Sequence, residues 1–122
     1  MKKQEIAVVY QWTAKTGKSE ELQAIYRDVE KQMHDNEPGA LDVQCYFDDS
    51  TNTLVVSDLF EDAQALGFHL ATTAAAHFPS LLHVANPGPF LFCGDVPQEM
   101  KQAAIEMGLD AKFAISIFGF HR

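Results

Sequence analysis

The stretch 58–78, DLFEDAQALGFHLATTAAAHF, constrains the fold most, because it runs from a strand directly into a helix. Its first three residues complete an apolar strand, and the acidic pair Glu61 and Asp62 is typical of a helix N-terminus. After this pair, four residues recur at the helical spacings of three and four, namely Leu66, His69, Leu70 and Thr73. The pattern predicts a helix packed on a sheet, with His69 on the side that faces the sheet.

Periodicity in the rest of the chain predicts further strands and helices. Alternating or continuous apolar residues predict strands over 6–15, 41–47, 53–60, 90–94 and 112–120. Apolar residues at helical spacing predict helices over 20–33 and 98–107. Proline and glycine mark the breaks, so we expect Pro79 to interrupt the central helix and 86–89 to form a loop.

The order β-α-β-β-α-β, followed by a further α-β, predicts an α+β fold of the ferredoxin-like class with a C-terminal α-β extension. We expect one domain over 1–122, with a core at about 6–95 and a helix-strand extension at about 95–122. Such a sheet carries its helices on one face. Because the first and last strands are apolar on both sides, a second copy of the chain is the simplest cover for the other face. The sequence therefore predicts a homodimer.

Charge and composition exclude several classes of partner. The 122 residues carry 17 acidic and 9 basic side chains, and the resulting net charge of −8 disfavours nucleic acid and anionic membrane surfaces. No apolar run approaches the roughly 20 residues that a membrane span needs. The cysteines, Cys45 and Cys93, lie in strand-like runs, where we expect buried free thiols. These features favour a cytoplasmic protein.

Histidine and tryptophan are the candidate site residues, and each has a simpler interpretation. His69 on a helix stripe is more often a buried, hydrogen-bonded histidine than a base, and His77 is more often a local cap. Trp12 at a strand end suits core or dimer packing as well as a pocket wall. His69, His77 and His83 are spaced by eight and six residues and do not share one helix face, so we expect no metal site.

Four segments share the pattern of a known family. The first strand ends in Val9-Tyr10-Gln11-Trp12, and Lys15-Thr16-Gly17-Lys18 leads into the first helix. Glu37-Pro38-Gly39 precedes the second strand. The stretch 58–78 combines a strand end, a helix start and two histidines, His69 and His77. Over about residues 6–95 the chain resembles the antibiotic biosynthesis monooxygenase (ABM) family, whose members form dimeric α/β barrels.

The resemblance implies oxidation chemistry without a metal or flavin. Enzymes of this family bind an electron-rich aromatic molecule, such as a phenol or quinol, in an apolar cavity and oxidise it with molecular oxygen. A histidine that titrates near neutral pH suits the base that takes the substrate proton, and aromatic side chains suit flat substrates. The resemblance thus implies His69 as the catalytic residue and, as substrate-binding residues, Tyr10, Trp12, Phe60, Phe68 and His77.

Two other functions stay open. Some relatives bind haem through a helix histidine, and His69 suits that role, although the chain lacks the strand asparagine associated with those members. A non-catalytic module that binds or senses a small ligand is also compatible with this fold. Our expectation is an enzyme without a cofactor, acting on a small aromatic molecule as a homodimer.

Overall fold

The computed structural model describes residues 4–122, so the first three residues of the predicted domain lie outside the described part. The strands are β1 (Ile6–Ala14), β2 (Ala40–Asp48), β3 (Thr53–Phe60), β4 (Ala85–Cys93) and β5 (Ala111–Ala114). The helices are α1 (Ser19–Asn36), α2 (Ala63–His69), α3 (Ala75–Val84) and α4 (Gln98–Glu106). A π-helical turn, Leu70–Ala74, joins α2 to α3.

The strands form one sheet in the order β2-β3-β1-β4-β5. β1 pairs antiparallel with β3 and β4, β2 pairs antiparallel with β3, and β5 pairs parallel with β4. The first four strands have the ferredoxin-like order, and β5 adds the C-terminal extension at one edge. The predicted fold class is therefore confirmed, whereas the closure of two chains into a barrel stays a prediction.

The core lies between the helices and one face of the sheet. Period-two alternation places four side chains of β1 on this face, namely Ile6, Val8, Tyr10 and Trp12. α1 covers them with buried residues at the predicted helical spacing, namely Leu22, Tyr26, Val29 and Met33. Burial of each such large apolar side chain contributes roughly 1.5–3 kcal/mol, which fixes α1 over the middle of the sheet.

α2 begins at the predicted acidic pair. The backbone of Asp62 is extended, and its carboxylate accepts a hydrogen bond of 2.8 Å from the N–H of Ala65 in the first turn. The predicted stripe faces the core, because Leu66, His69 and Thr73 are buried and Leu70 is partly buried against it. The sequence therefore predicts correctly which side of this helix faces the sheet.

Pro79 does not interrupt the helix, contrary to the sequence-based expectation, and lies inside α3. Its missing N–H leaves the carbonyl of Ala75 without its usual partner, and the π-helical turn immediately before α3 already widens the helix at this point. Beyond the proline, Leu81 and Val84 are buried, which stabilises the continued helix.

The expected loop at 86–89 is also wrong, since these residues belong to β4. The pairing shifts between Tyr10 and Trp12 of β1, so that Gly88 and Pro89 together face one residue. Such a bulge tolerates proline, which cannot donate to the strand ladder. Proline and glycine thus mark a bulge within strand β4, whereas the sequence suggested that no strand forms over these residues.

β5 is shorter than the predicted strand 112–120 and ends at Ala114. Its neighbour β4 ends at Cys93, and Gly94, with a φ of 135°, turns the chain away while its N–H donates to the carbonyl of Ala114 at 2.8 Å. Beyond this point the sheet offers no partner strand. The large apolar side chains that follow are exposed, namely Ile115, Ile117, Phe118 and Phe120.

The sheet face opposite the helices is open in the single chain. Val9 on β1, Leu91 on β4 and Tyr46 on β2 lie on this face and are exposed. Cys45 lies on edge strand β2 on the helix side of the sheet but is exposed, so its predicted burial is wrong, and Cys93 is partly buried. Among residues 4–122, no helix is long and apolar enough to cross a membrane.

Candidate active site

A cavity of about 50 Å³ lies between the sheet and the helices. β1, β3 and β4 line it from the sheet, and α1, α2, the π-helical turn and α3 line it from above. Met107 and Leu109, between α4 and β5, reach it from the C-terminal extension. Most of its lining is apolar. The side chains with polar atoms that line it are Tyr10, Trp12, Tyr26, Asp58, His69 and His77.

His69 is joined to a buried carboxylate from a distant part of the chain. Its Nδ1 lies 3.0 Å from Oε2 of Glu37, and the two side chains are 8% and 2% exposed. The hydroxyl of Thr73 donates to the same carboxylate. Burial alone raises the pKa of Glu37, but hydrogen bonds from His69 and Thr73 and the charge of His69 bring it below its ordinary value. Glu37 is therefore ionised, and it holds Nδ1 of His69 as the donor.

Nε2 is the nitrogen of His69 that stays available. No hydrogen bond within residues 4–122 engages it, and the ring packs against Phe60 at a tilt of 41°, with centroids 5.2 Å apart. Because Nδ1 carries the hydrogen, Nε2 carries the lone pair when the ring is neutral. His69 thus presents a hydrogen-bond acceptor at the wall of an apolar cavity, the arrangement a general base requires.

The π-helical turn determines how the second histidine sits. A π turn inserts one residue into the helical repeat and rotates the residues that follow, and such turns are frequent at functional sites. Nδ1 of His77 donates to the carbonyl of Thr73 at 2.8 Å, and the hydroxyl of Thr72 donates to the carbonyl of Phe68 at 2.6 Å. His77 reaches the cavity in a half-buried position, with its Nδ1 occupied by the backbone.

A second polar cluster faces the cavity from the sheet. Tyr10 donates a hydrogen bond of 2.9 Å to Oδ2 of Asp58, and the hydroxyl of Tyr26 on α1 bonds to that of Tyr10. Burial raises the pKa of Asp58 to about 6, although the charge of His69 and the bond from Tyr10 oppose the rise. Burial, and then the charge of Asp58, raises the pKa of both phenols, so Tyr10 and Tyr26 stay protonated.

Two buried polar atoms at the cavity have no hydrogen-bond partner in the described part of the chain, Oδ1 of Asp58 and Nε1 of Trp12. Edge-on contacts hold the indole against Phe78 and Phe90, with centroid distances of 5.8 Å and 6.2 Å. Leaving a buried polar group unsatisfied costs roughly 1–3 kcal/mol. Both residues belong to the cavity wall, so the cost of these unpaired atoms falls at the site itself.

The structure brings five of the six residues implied by the resemblance to this cavity, namely Tyr10, Trp12, Phe60, His69 and His77. Phe68 is not among the lining residues, and half of its side chain (50%) is exposed. Helix geometry explains the difference, because adjacent residues point about 100° apart, so an inward His69 turns Phe68 outward. The catalytic and binding roles of the five residues stay predictions.

Sequence reasoning did not single out Glu37, Asp58 and Tyr26 as site residues. Glu37 reads as the end of α1, and no local pattern signals a contact across 32 positions. Asp58 does carry a signal, because period two places it on the buried face of β3 between Val56 and Phe60. Within residues 4–122, no group of three His, Cys, Asp or Glu side chains comes together as a metal site.

The family model described as Antibiotic biosynthesis monooxygenase matches residues 5–79 of the chain. The matched region runs from β1 into α3 and contains Glu37, Asp58, His69 and His77. It therefore includes both polar clusters of the cavity, whereas Met107 and Leu109 lie outside it. A sequence comparison with curated proteins gives no significant match.

The fold is similar to solved structures of low sequence identity. MupZ from Pseudomonas fluorescens has a TM-score of 0.81 at 19% identity, over 98% of this chain and 95% of that chain. A mutant of SnoaB, a cofactor-independent oxygenase from Streptomyces nogalater, has a TM-score of 0.64 at 15% identity, over 73% and 90%. A conserved protein from Methanosarcina mazei Go1 has a TM-score of 0.65 at 18% identity, over 74% and 91%. At these identities the likeness shows the fold alone.

Proposed function

Because the chain belongs to the antibiotic biosynthesis monooxygenase family, we propose that it is a cofactor-independent monooxygenase that oxidises a small phenol- or quinol-type aromatic molecule with molecular oxygen. The observation that carries the proposal is the ring of His69, held by buried Glu37 at the wall of an apolar cavity. In this proposal His69 is the base, and the side chains that contact the substrate are those of Tyr10, Trp12, Phe60 and His77.

The first step is a proton transfer from the substrate hydroxyl to Nε2 of His69. Glu37 supports this step in two ways: it keeps the hydrogen of the neutral ring on Nδ1, and its negative charge stabilises the imidazolium that forms. The resulting phenolate is held beside a cation in a poorly hydrated site, where the attraction between the two charges is stronger than in water.

The second step joins oxygen to the substrate. The phenolate transfers electrons to O2, a C–O bond forms at a ring carbon, and the resulting peroxide takes up a proton. Loss of the remaining hydrogen from that carbon then breaks the O–O bond, so that one oxygen atom stays in the product as a carbonyl and the other leaves as water. The substrate supplies all the electrons, so the protein contributes the base, the orientation of the ring and the exclusion of water.

The size of the cavity limits what enters without rearrangement. An engineered cavity of about 150 Å³ holds benzene, so a cavity of about 50 Å³ admits one ring only if side chains move. Met107 is suited to this movement, because methionine is flexible and lies at the cavity wall on the C-terminal extension. Haem is far larger than one ring, and the size of the cavity therefore favours a small substrate over haem.

Oxygen consumption tests the proposal directly. The purified protein, in the presence of a metal chelator and without added flavin, is mixed with a panel that runs from single-ring phenols and quinols to hydroxynaphthalenes and anthrones, while dissolved oxygen is recorded. We expect oxygen uptake that matches product formation mole for mole with at least one member of the panel. Binding of panel members without any oxygen uptake would favour the non-catalytic ligand-binding module, and a sharp Soret band after addition of haemin would favour the haem protein.

We also propose that the chain acts as a homodimer in the cytoplasm. The open sheet face carries exposed Val9, Leu91 and Tyr46. In a symmetric dimer the same face of a second chain packs against it and buries these side chains. The free thiols of Cys45 and Cys93 are compatible with a reducing compartment.

A further inference from the structure

We propose that helix α4 is a movable wall of the cavity, which moves away from α2 to admit a ligand and closes over it, with Met100 on Gly67 as the contact that keeps it closed. This inference rests on the proposed binding of an aromatic molecule in the cavity and adds the route by which the molecule enters. It concerns the rates of binding and does not depend on turnover.

The size of the cavity requires one wall to move, because about 50 Å³ is well below the roughly 150 Å³ that holds benzene. The other walls are firmly held. In the sheet, β1 is paired on both sides, with β3 and β4. α1 buries four large side chains against that sheet. Glu37 bonds to both His69 and Thr73, which fixes the end of α2 and the π-helical turn.

α4 is held more loosely than α1. Its inner side and its C-terminal end carry Met100, Ala104 and Met107 at spacings of four and three, and of these three only Ala104 is fully buried. In the described part of the chain, no hydrogen bond joins α4 to residues 4–93. A segment with few buried apolar side chains and no hydrogen bonds to its surroundings opens at a low cost in free energy.

The two ends of α4 are anchored, and its C-terminal end has a flexible joint. Val96 before the helix and Leu109 after it are both buried in the core. The N–H of Gly108 donates to the carbonyl of Ile105 at 2.9 Å, and the N–H of Leu109 donates to that of Ala104, which is a Schellman motif. Gly108 has a φ of 83° and nothing within 4 Å of the place where a Cβ would lie. It therefore has both the freedom and the space to rotate.

One methionine determines how closely α4 approaches α2. A Cβ at Gly67 would lie 2.8 Å from Cε of Met100, so the methyl group of Met100 rests on the backbone of α2 where a side chain is missing. Gly67 is two residues from His69, and Met107, on the same side of α4 as Met100, lines the cavity together with His69. A movement of α4 off Gly67 therefore withdraws Met107 from the cavity wall.

Stopped-flow quenching of Trp12 fluorescence measures the entry of a ligand, because Trp12 is the only tryptophan of the chain and lines the cavity. The probe is 4-nitroanisole, an uncharged single-ring molecule that absorbs where tryptophan emits and has no hydroxyl group to be oxidised. Met100→Ala and Gly67→Ala disrupt the contact from its two sides. Ile105→Ala removes an exposed apolar side chain from the same helix and is the matched control.

We expect Met100→Ala and Gly67→Ala each to raise the association and dissociation rate constants of 4-nitroanisole about tenfold, because both lose a contact that only the closed state makes. Kd should change by less than about twofold, since α4 is closed in the free and in the liganded protein. Ile105→Ala should bind at the wild-type rates. Gly67→Ala does not weaken α2 itself, because alanine favours a helix more than glycine does.

Four results would overturn the inference: an unchanged association rate in either variant, a rise in the dissociation rate alone, an equal effect of Ile105→Ala, or no quenching of the wild type up to the solubility of the probe. The emission maximum of buried Trp12 before mixing shows whether each variant is folded. Because 4-nitroanisole is not a substrate, failure of the oxygenase proposal alone would leave these rates unchanged.

Discussion

The carboxylate of Glu37 lies 3.0 Å from Nδ1 of His69, and this contact joins the loop after α1 to the end of α2. Both side chains are buried, so neither is well solvated without the other. Thr73 in the π-helical turn bonds to the same carboxylate, which connects three separate elements at one point. The arrangement fixes the orientation of the imidazole before any substrate binds.

Replacement of Glu37 should affect stability and turnover differently. Glu37→Ala leaves the His69 N–H and the Thr73 hydroxyl without an acceptor, and we expect a loss of about 3 kcal/mol in the free energy of unfolding at pH 7.5. Glu37→Gln keeps an acceptor and should cost less stability, but it removes the charge that stabilises the imidazolium, so kcat should fall with little change in KM. Urea unfolding and steady-state kinetics measure the two effects.

The exposed Glu20→Gln serves as the matched control for Glu37→Gln. Equal kcat for the two variants would contradict the positioning role of Glu37.

The pH dependence of the free energy of unfolding gives a second check on Glu37. Because the pKa of Glu37 is below its ordinary value of 4.5, its stabilising contribution is present above pH 4.5 and is lost as the pH falls through the folded pKa.

Asp58 should make the opposite contribution. Its pKa rises from an ordinary 3.8 to about 6 on folding, so the folded state binds the proton more tightly, and stability falls as the pH rises from 3.8 to 6. A shift of about two units corresponds to about 3 kcal/mol. Asp58→Asn has no such titration, so its stability relative to the wild type should increase over this pH range. Urea unfolding at pH 4 and pH 7.5 measures the difference, and an equal difference at both pH values would show that Asp58 titrates normally.

The sequence predicts the fold better than the site, for a physical reason. Strands and helices leave periodic patterns, and the alternation of β1 and the stripe of α1 place every core residue on the correct face. The contact between Glu37 and His69 depends on how two elements pack, and no local pattern records it. Asp58 is intermediate, since its position on the buried face of β3 is visible in the sequence but its partners Tyr10 and Tyr26 are not.

Where the predicted ends of helices and strands are wrong, tertiary packing outweighs the local conformational preference of the residues. Pro79 continues a helix because Leu81 and Val84 are buried beyond it, and Pro89 lies in β4 because a bulge frees it from donating. The strand predicted at 112–120 stops at Ala114 because its neighbour β4 ends there. The residues that follow prefer strand locally but have no strand to pair with. Each of these errors depends on contacts between residues that are far apart in the sequence, and a single sequence does not reveal such contacts.

The open sheet face predicts the assembly. We expect light scattering to give a mass of about 27 kDa at micromolar concentration, twice the 13.6 kDa of one chain. Replacing Val9 or Leu91 with lysine places a charge in the predicted interface and should shift the mass towards that of the monomer. A wild-type protein that stays at 13.6 kDa would contradict the homodimer.

Two truncations show which part of the C-terminal extension contributes to the stability of the fold. Removal of 95–122 deletes buried Val96, Ala104 and Leu109 and should lower the free energy of unfolding by several kcal/mol, roughly 1.5–3 kcal/mol for each large apolar side chain. Removal of 115–122 deletes side chains that are exposed in the single chain, and should leave the monomer fold intact. Rapid proteolytic loss of 95–122 without loss of stability would show that the extension does not belong to the fold.

Oxygen uptake by His69→Asn, with a substrate that the wild type oxidises, tests the base most directly. The amide nitrogen of asparagine occupies the place of Nδ1 and donates to Glu37, so the buried pair keeps its hydrogen bond while the accepting Nε2 is removed. His83→Ala, at an exposed histidine of α3, is the matched control. If His69 is the general base, His69→Asn should lose roughly a hundredfold or more in turnover while the control keeps the wild-type rate. Full turnover by a folded His69→Asn protein would contradict the assignment.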